Sequence, residues 1–220
     1  MNEREALLLH EEVLLLALHD EKGTVAFGSM FPFAIGGAIL AELIVRGRLA
    51  IEGEGRKMRV VTRNTTPTGD PVLDECMRRV VEAKRRARPE TWIRRLASVR
   101  RLRHRIAQRL CERGILAADE KQVLRLFTRM VYPTLDPGPE REVVERLRRA
   151  ILGDAPDIDA RTKVLIALTW SADMLRPIFG GNALRQRRKW LDRIAEENVV
   201  GKATKRTIEA VKTAVIVAAG

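Results

Sequence analysis

The chain has 220 residues, 45% of them apolar, and a formal net charge of +12, a composition that indicates a folded globular protein rather than a disordered one. Two cysteines, Cys76 and Cys111, are too few for a disulfide framework, and no Cys/His cluster has zinc spacing. Aromatic residues make up only 4% of the chain, which disfavours recognition of single-stranded nucleic acid by base stacking.

The N-terminal part predicts two helices and a β-hairpin. Residues 5–19 repeat leucine on a helical period. The first 21 residues carry six acids against one base, so we expect no secretory leader and a cytoplasmic protein. Residues 32–45 predict a buried helix that ends at Gly47 and is too short to span a bilayer. Residues 48–51 and 58–62 predict the first hairpin.

The centre of the chain holds most of the positive charge. Asp70 as N-cap and Pro71 at the first helical position predict a helix to about residue 87, and a long basic helix is expected over residues 99–112. Residues 78–113 contain 14 Lys/Arg and three acids, a balance of +11. Such a concentrated field attracts a polyanion, either nucleic acid or an anionic membrane surface.

The second half predicts one more hairpin and a helical remainder. Residues 115–116 and 122–130 predict strands that flank a turn at Asp119 and Glu120. The helices expected after them cover residues 140–152, 157–175, 182–198 and 203–219. We therefore expect a mainly α fold with a helical-bundle core, surrounding amphipathic helices and two short β-hairpins, in a single domain over residues 1–220.

Sequence motifs for catalysis are missing. The chain has no phosphate-binding glycine loop, no His-Glu-x-x-His and no nucleophile elbow. Asp70, Asp74 and Glu75 resemble a carboxylate cluster, but helix capping and the helix dipole explain them. We expect neither an enzyme nor a bound metal or cofactor.

An alternative function comes from a weak internal repeat. Residues 43–50 and 110–117 both read as a helix, a glycine cap and a strand, offset by 67 residues. The same order occurs in winged-helix domains. With the basic charge, it allows a winged-helix-type nucleic-acid-binding protein, whose duplex binding would weaken steeply with salt.

Four segments together resemble the Golgi phosphoprotein 3 family. Residues 66–75 read TPTGDPVLDE, and the other segments occur around them in the family's order. These are EEVLLLAL at residues 11–18, AELIVRGRL at 41–49 and ERGIL at 112–116.

The resemblance implies a peripheral membrane adaptor rather than an enzyme. Family members bind phosphatidylinositol 4-phosphate on the cytosolic face of the Golgi and link the cytosolic tails of Golgi glycosyltransferases to vesicle coats. If the source is bacterial, only binding of an anionic lipid or a phosphorylated headgroup carries over. The family's projecting hairpin implies a homo-oligomer, and here the hairpin would carry Val123, Leu124, Leu126 and Phe127.

The family's lipid pocket is only partly matched. Its two later arginines correspond to Arg100 and Arg103, and its loop aromatic to Phe27, or to Phe31 across a one-residue gap. Its earlier basic residue corresponds to Gly36, so the resemblance implies a weaker headgroup site without strict selectivity for the 4-phosphate.

Helical spacing over residues 99–112 is compatible with that pocket. It would place Arg100 one turn before Arg103, at the edge of an apolar stripe, so that both could contact one phosphate. The alternative is that these arginines form salt bridges with the acidic N-terminal helix.

Overall fold

The computed structural model describes residues 6–18, 30–123, 127–153 and 157–219. The chain is 65% helical, with ten helices and two antiparallel strand pairs in the described part. The mainly α fold and the two short hairpins expected from the sequence are confirmed.

The first hairpin follows a long central helix. Helices α1 (Leu9–Leu15) and α2 (Phe31–Val45) come first, and strands β1 (Leu49–Glu52) and β2 (Arg59–Thr62) pair antiparallel with Leu49 opposite Thr62. Gly47 adopts φ 65° after α2, as expected of a glycine that ends a helix.

Three helices then carry the basic stretch: α3 (Pro71–Val81), α4 (Pro89–Ala97) and α5 (Leu102–Glu112). Asp70 caps α3 as predicted, because its Oδ1 accepts from the N–H groups of Val72 and Leu73 at 2.9 and 2.8 Å. The helix is shorter than predicted, since it ends at Val81 instead of near residue 87.

The prediction of one helix over residues 99–112 is wrong at its start. Helix α5 begins at Leu102, and residues 98–101 form a turn after α4. Arg101 occupies the left-handed region at φ 55°, which interrupts the helical path. Arg100 therefore lies in a turn and not on the face of α5.

The second hairpin has a different register from the predicted one. Strands β3 (Asp119–Val123) and β4 (Phe127–Val131) pair antiparallel, with Val123 opposite Phe127. Asp119 and Glu120 begin β3, so the turn predicted at those two residues is wrong. Leu124 and Leu126 lie outside the described residues.

The last five helices form the rest of the bundle. A short helix at Leu175–Phe179 was not predicted, because Asp173, at φ 57°, separates it from the helix before. The five are α6 (Gly138–Leu152), α7 (Ala160–Ser171), α8 (Leu175–Phe179), α9 (Gly181–Glu197) and α10 (Val199–Ala219).

Helix α2 lies at the centre of the core. It packs against α1, α3, α4, α7 and α10, and residues 34–43 are all buried. Two glycines permit this close packing. A Cβ at Gly36 would lie 2.5 Å from the Ile93 carbonyl oxygen of α4, and one at Gly37 would collide with Thr204 Oγ1 of α10.

Candidate functional site

The start of α2 and the end of α4 lie at the same end of the bundle. Pro32 and Phe33 of α2 line a cavity of about 570 Å³ together with Arg94, Arg95 and Ser98. Both arginines are exposed and Phe33 is half-buried. The cavity thus combines an aromatic ring with two guanidinium groups, a pairing suited to an anion at an apolar boundary.

The turn that follows α4 adds two more arginines. Arg100 and Arg101 are both exposed. In the described part of the chain, Arg94, Arg100 and Arg101 have no ion pair with a carboxylate. The guanidinium of Arg95 lies 4.9 Å from the centre of the Trp92 ring, a cation–π geometry. We call Arg94, Arg95, Arg100 and Arg101 the exposed arginine cluster.

Arg103 has different surroundings from the cluster. It lies in the first turn of α5 and is half-buried, with Nη2 3.4 Å from His104 Nε2. His104 Nδ1 is in turn 3.0 Å from the Tyr132 hydroxyl, and burial raises the pKa of that tyrosine. Arg103 is therefore in contact with His104, which in turn contacts Tyr132, the residue directly after β4.

The remaining arginines of α5 are engaged with acids of the same chain. Arg105 Nη1 lies 3.8 Å from Glu75 Oε2, and Arg109 Nη1 donates to Glu112 Oε2 at 2.6 Å. Arg113, one residue beyond the helix, donates to Glu11 Oε2 at 2.6 Å. The basic stretch thus divides into a compensated half along α5 and an uncompensated half at the end of α4.

The acidic residues of α1 are buried and paired with arginines from other helices. Arg146 of α6 and Arg161 of α7 approach Glu12 Oε1 to 3.0 and 3.5 Å, and Arg161 also lies 3.1 Å from Glu42 Oε2. Burial raises the pKa of Glu12 even so. Of the acidic N-terminal helix, the sequence's alternative partner for Arg100 and Arg103, the described residues Glu11 and Glu12 are paired with Arg113, Arg146 and Arg161.

Of the two candidate aromatic residues, Phe27 and Phe31, the structure describes only Phe31. Phe27 lies outside the described residues. Phe31 is the first residue of α2 and is only 5% exposed, so it belongs to the hydrophobic core and not to an exposed loop. Its expected contact with a membrane is therefore not compatible with this packing. Phe33, two residues later, lines the arginine cavity instead.

The described ranges of the chain do not meet the requirements of a metal site, a reactive cysteine or a membrane-spanning helix. They contain no group of His, Cys, Asp or Glu that could hold a metal ion. Burial raises the pKa of the Cys76 thiol to about 12, so that cysteine is not a reactive thiolate. Within the same ranges, no helix is both long and apolar enough to cross a bilayer.

Sequence reasoning missed Arg94 and Arg95 as site residues. They stand within a run of basic residues, where a solvated helical face is the usual explanation. What distinguishes them is that they line a cavity with Pro32 and Phe33 of α2. This juxtaposition of α2 and α4 is a tertiary feature that no local pattern displays.

The fold and the site define a largely helical protein with an uncompensated basic end. The sequence profile described as Golgi phosphoprotein 3 (GPP34) matches residues 9–211, and the chain belongs to this family. It is 25% identical, over 222 aligned positions, to the vacuolar protein sorting-associated protein 74 of Schizosaccharomyces pombe. That alignment covers 86% of this chain and 65% of the yeast protein, so the chain spans slightly less than two thirds of its relative.

Proposed function

We propose that the chain is a peripheral membrane adaptor that binds an anionic phosphorylated lipid headgroup, phosphatidylinositol 4-phosphate by family resemblance, and catalyses no reaction. The observation that carries this proposal is the exposed arginine cluster. Arg94 and Arg95 line the cavity with Phe33, and Arg100 and Arg101 follow in the exposed turn after α4. By contrast, Arg105, Arg109 and Arg113 are paired with carboxylates. Each Lys or Arg near an anionic membrane contributes roughly 1 kcal/mol, so the cluster alone is enough for weak adsorption.

Arg100 and Arg103 would add headgroup recognition to this general attraction. A guanidinium presents a planar fork of donors that matches the oxygens of a phosphate. Arg103 is held in place by its contact with His104, so less side-chain entropy is lost when it binds. Arg100, in the exposed turn, would close on the same phosphate from outside.

The partners of the adaptor follow from the family and from the relative's name. That name associates the yeast protein with vacuolar protein sorting, which supports a role in vesicle trafficking. We propose that the chain works on the cytosolic side of a membrane, at the Golgi if the source is eukaryotic. Its protein clients would be the cytosolic tails of membrane enzymes, and it would act as a homo-oligomer.

A vesicle assay run beside a duplex-DNA assay tests the proposal. The protein should sediment with vesicles containing phosphatidylinositol 4-phosphate and should remain in solution with neutral phosphatidylcholine vesicles. Binding should weaken as salt rises, because part of the attraction is long-range. Equal binding to both vesicle types would contradict the electrostatic mechanism. Tight, salt-sensitive binding to duplex DNA without vesicle binding would favour the nucleic-acid alternative.

A further inference from the structure

Gly36 leaves no room for a basic side chain on α2. A Cβ there would lie 2.5 Å from the Ile93 carbonyl oxygen and 3.0 Å from the Ala97 backbone nitrogen, both atoms of the α4 main chain. These atoms cannot move aside as a flexible side chain can. The cation that the family pocket has at this position therefore cannot come from α2 in this chain.

Helix α4, which fills that space, carries two exposed arginines that lie beside the first turn of α2. Ile93 is buried with its carbonyl oxygen facing Gly36, and Arg94 and Arg95 are exposed on the outer side of the same helix. Both line the cavity next to Phe33, which lies three residues, or about one helical turn, before Gly36 on α2. The cavity of about 570 Å³ is large enough for a phosphorylated sugar headgroup.

The charges of these two arginines are not cancelled within α4. Glu90, the one carboxylate of the helix, pairs with Arg88 at 3.1 Å and with Arg206 at 3.7 Å, and it does not line the cavity that contains Phe33. Arg95 is held over the Trp92 ring at 4.9 Å, which leaves its N–H donors unused by any carboxylate in the described chain. The N-terminus of α2, whose dipole favours an anion, faces the same end of the bundle.

We propose that Arg94 and Arg95 bind the phosphate of the ligand in this cavity and replace the cation that Gly36 lacks. This inference rests on the proposed function and deepens it, since it names the residues that decide which headgroups are accepted. The cation approaches from α4 rather than from α2. The position of the bound phosphate around the headgroup ring should therefore differ from that in a pocket with a basic residue at position 36.

Neutralising each arginine against a matched control tests the inference. The probes are vesicles that contain phosphatidylinositol 4-phosphate, the soluble headgroup inositol 1,4-bisphosphate, and inorganic phosphate. Arg94→Gln and Arg95→Gln should each weaken vesicle binding about tenfold, the loss expected for one charge-assisted contact. Arg85→Gln removes the same charge from the same basic stretch, at an exposed position before α4 begins, and should weaken binding less than about twofold.

The variants must be folded before their binding is compared. Arg94 and Arg95 are exposed, so melting curves should match that of the unmodified chain. Arg94→Lys keeps the charge but not the planar fork, and should bind vesicles between the unmodified chain and Arg94→Gln. This intermediate value would separate a specific phosphate contact from a general field.

The soluble probes identify where the phosphate comes from. Displacement from vesicles by inositol 1,4-bisphosphate, but not by equal inorganic phosphate, assigns the cavity to a lipid headgroup. If both soluble probes displace the protein from vesicles, the cavity recognises phosphate as such. Either pattern of displacement supports the inference, provided that the Arg94→Gln variant no longer shows it. Equal vesicle binding by Arg94→Gln, Arg95→Gln and Arg85→Gln would overturn it, and the proposed function would still stand if the unmodified chain binds. Failure of the unmodified chain to bind any vesicle would remove the proposed function itself.

Discussion

Arg101 and Arg103 lie two residues apart in the sequence but have different surroundings. Arg101 is exposed in the left-handed turn, whereas Arg103 is half-buried and contacts His104. Replacing either arginine with glutamate changes the net charge by the same amount. A diffuse electrostatic field therefore predicts that both variants lose membrane binding equally. A defined phosphate contact predicts an unequal loss, because Arg103→Glu would place a carboxylate beside the phosphate.

We expect Arg103→Glu to weaken binding to phosphatidylinositol 4-phosphate vesicles at least about tenfold more than Arg101→Glu does. Sedimentation at several lipid concentrations measures both affinities. Circular dichroism and melting must first show that both variants fold, since Arg103 is half-buried. Equal losses would mean that Arg103 contributes only to the basic field.

Gly36 also has a structural role that can be tested without a ligand. Gly36→Ala would place a methyl group 2.5 Å from the Ile93 carbonyl oxygen, so α2 and α4 would have to separate. We expect a loss of about 1–3 kcal/mol in the free energy of unfolding, the usual cost of overpacking. Gly181→Ala is the control, because its Cβ would meet Arg176 Nε at an ordinary 3.6 Å. Urea denaturation compares the two, and equal stabilities would show that α4 yields easily.

At the level of the elements, local signals predicted those helices whose ends are set by capping. Asp70 and Pro71 start α3 where the sequence placed it, and Gly47 ends α2. The boundary between α4 and α5 was missed, because Arg101 in the left-handed region has no sequence signature. A glycine or asparagine would have shown it.

The candidate site was only partly predictable, because the boundary between α4 and α5 and the packing of α4 on α2 have no local sequence signal. Arg100 and Arg103 were singled out by family resemblance, and their spacing was assigned to one helix that the structure divides in two. Arg94 and Arg95 line a cavity with Phe33 because α4 packs closely against α2. That close contact is a property of the packed bundle, and sequence periodicity describes each helix alone.

The second hairpin is the element on which assembly should depend. A lone two-stranded ribbon has marginal stability in water, and β3 and β4 pair only with each other in the described chain. The ribbon carries Val123 and Phe127 opposite each other at the end of its ladder. We propose that it packs against a second copy of the chain.

Deletion of residues 118–125 removes β3 and should convert a homo-oligomer into a smaller species. Light scattering measures the mass of both proteins at the same concentration. Circular dichroism should show that the helices persist, because the deletion begins at exposed residues, Ala118, Asp119 and Glu120. An unchanged mass, or a monomer before and after the deletion, would exclude assembly through the hairpin.

On the scale of the whole molecule, a network of buried charges joins the N-terminal helix to the rest of the bundle. Burial opposes the ionisation of Glu42, but hydrogen bonds from the Leu9 N–H, Arg46 and Arg161 outweigh it and hold its pKa below the ordinary value of 4.5. A carboxyl group whose pKa is lower in the folded state stabilises the fold above its unfolded pKa. That contribution is lost as the pH falls through the folded pKa.

Glu42→Gln should therefore be most harmful at neutral pH. We expect a loss of about 3 kcal/mol there, because Arg161 and Arg46 lose a buried charged partner. The deficit should shrink as the pH falls below 4.5, where the unmodified chain also loses this carboxylate. Melting temperatures of both proteins between pH 7 and pH 3 measure it. A deficit that stays constant over this range would show that the carboxylate charge has no part in stability.

The central position of α2 has a consequence for hydrogen exchange. Five helices cover it, and residues 34–43 are all buried, so its amides meet deuterated solvent only when the surrounding layers open. Local fraying, which sets exchange at helix ends and loops, does not reach them. Deuterium uptake by α2 should follow the global unfolding equilibrium. A destabilising substitution anywhere in the bundle would then appear as faster exchange in this one helix.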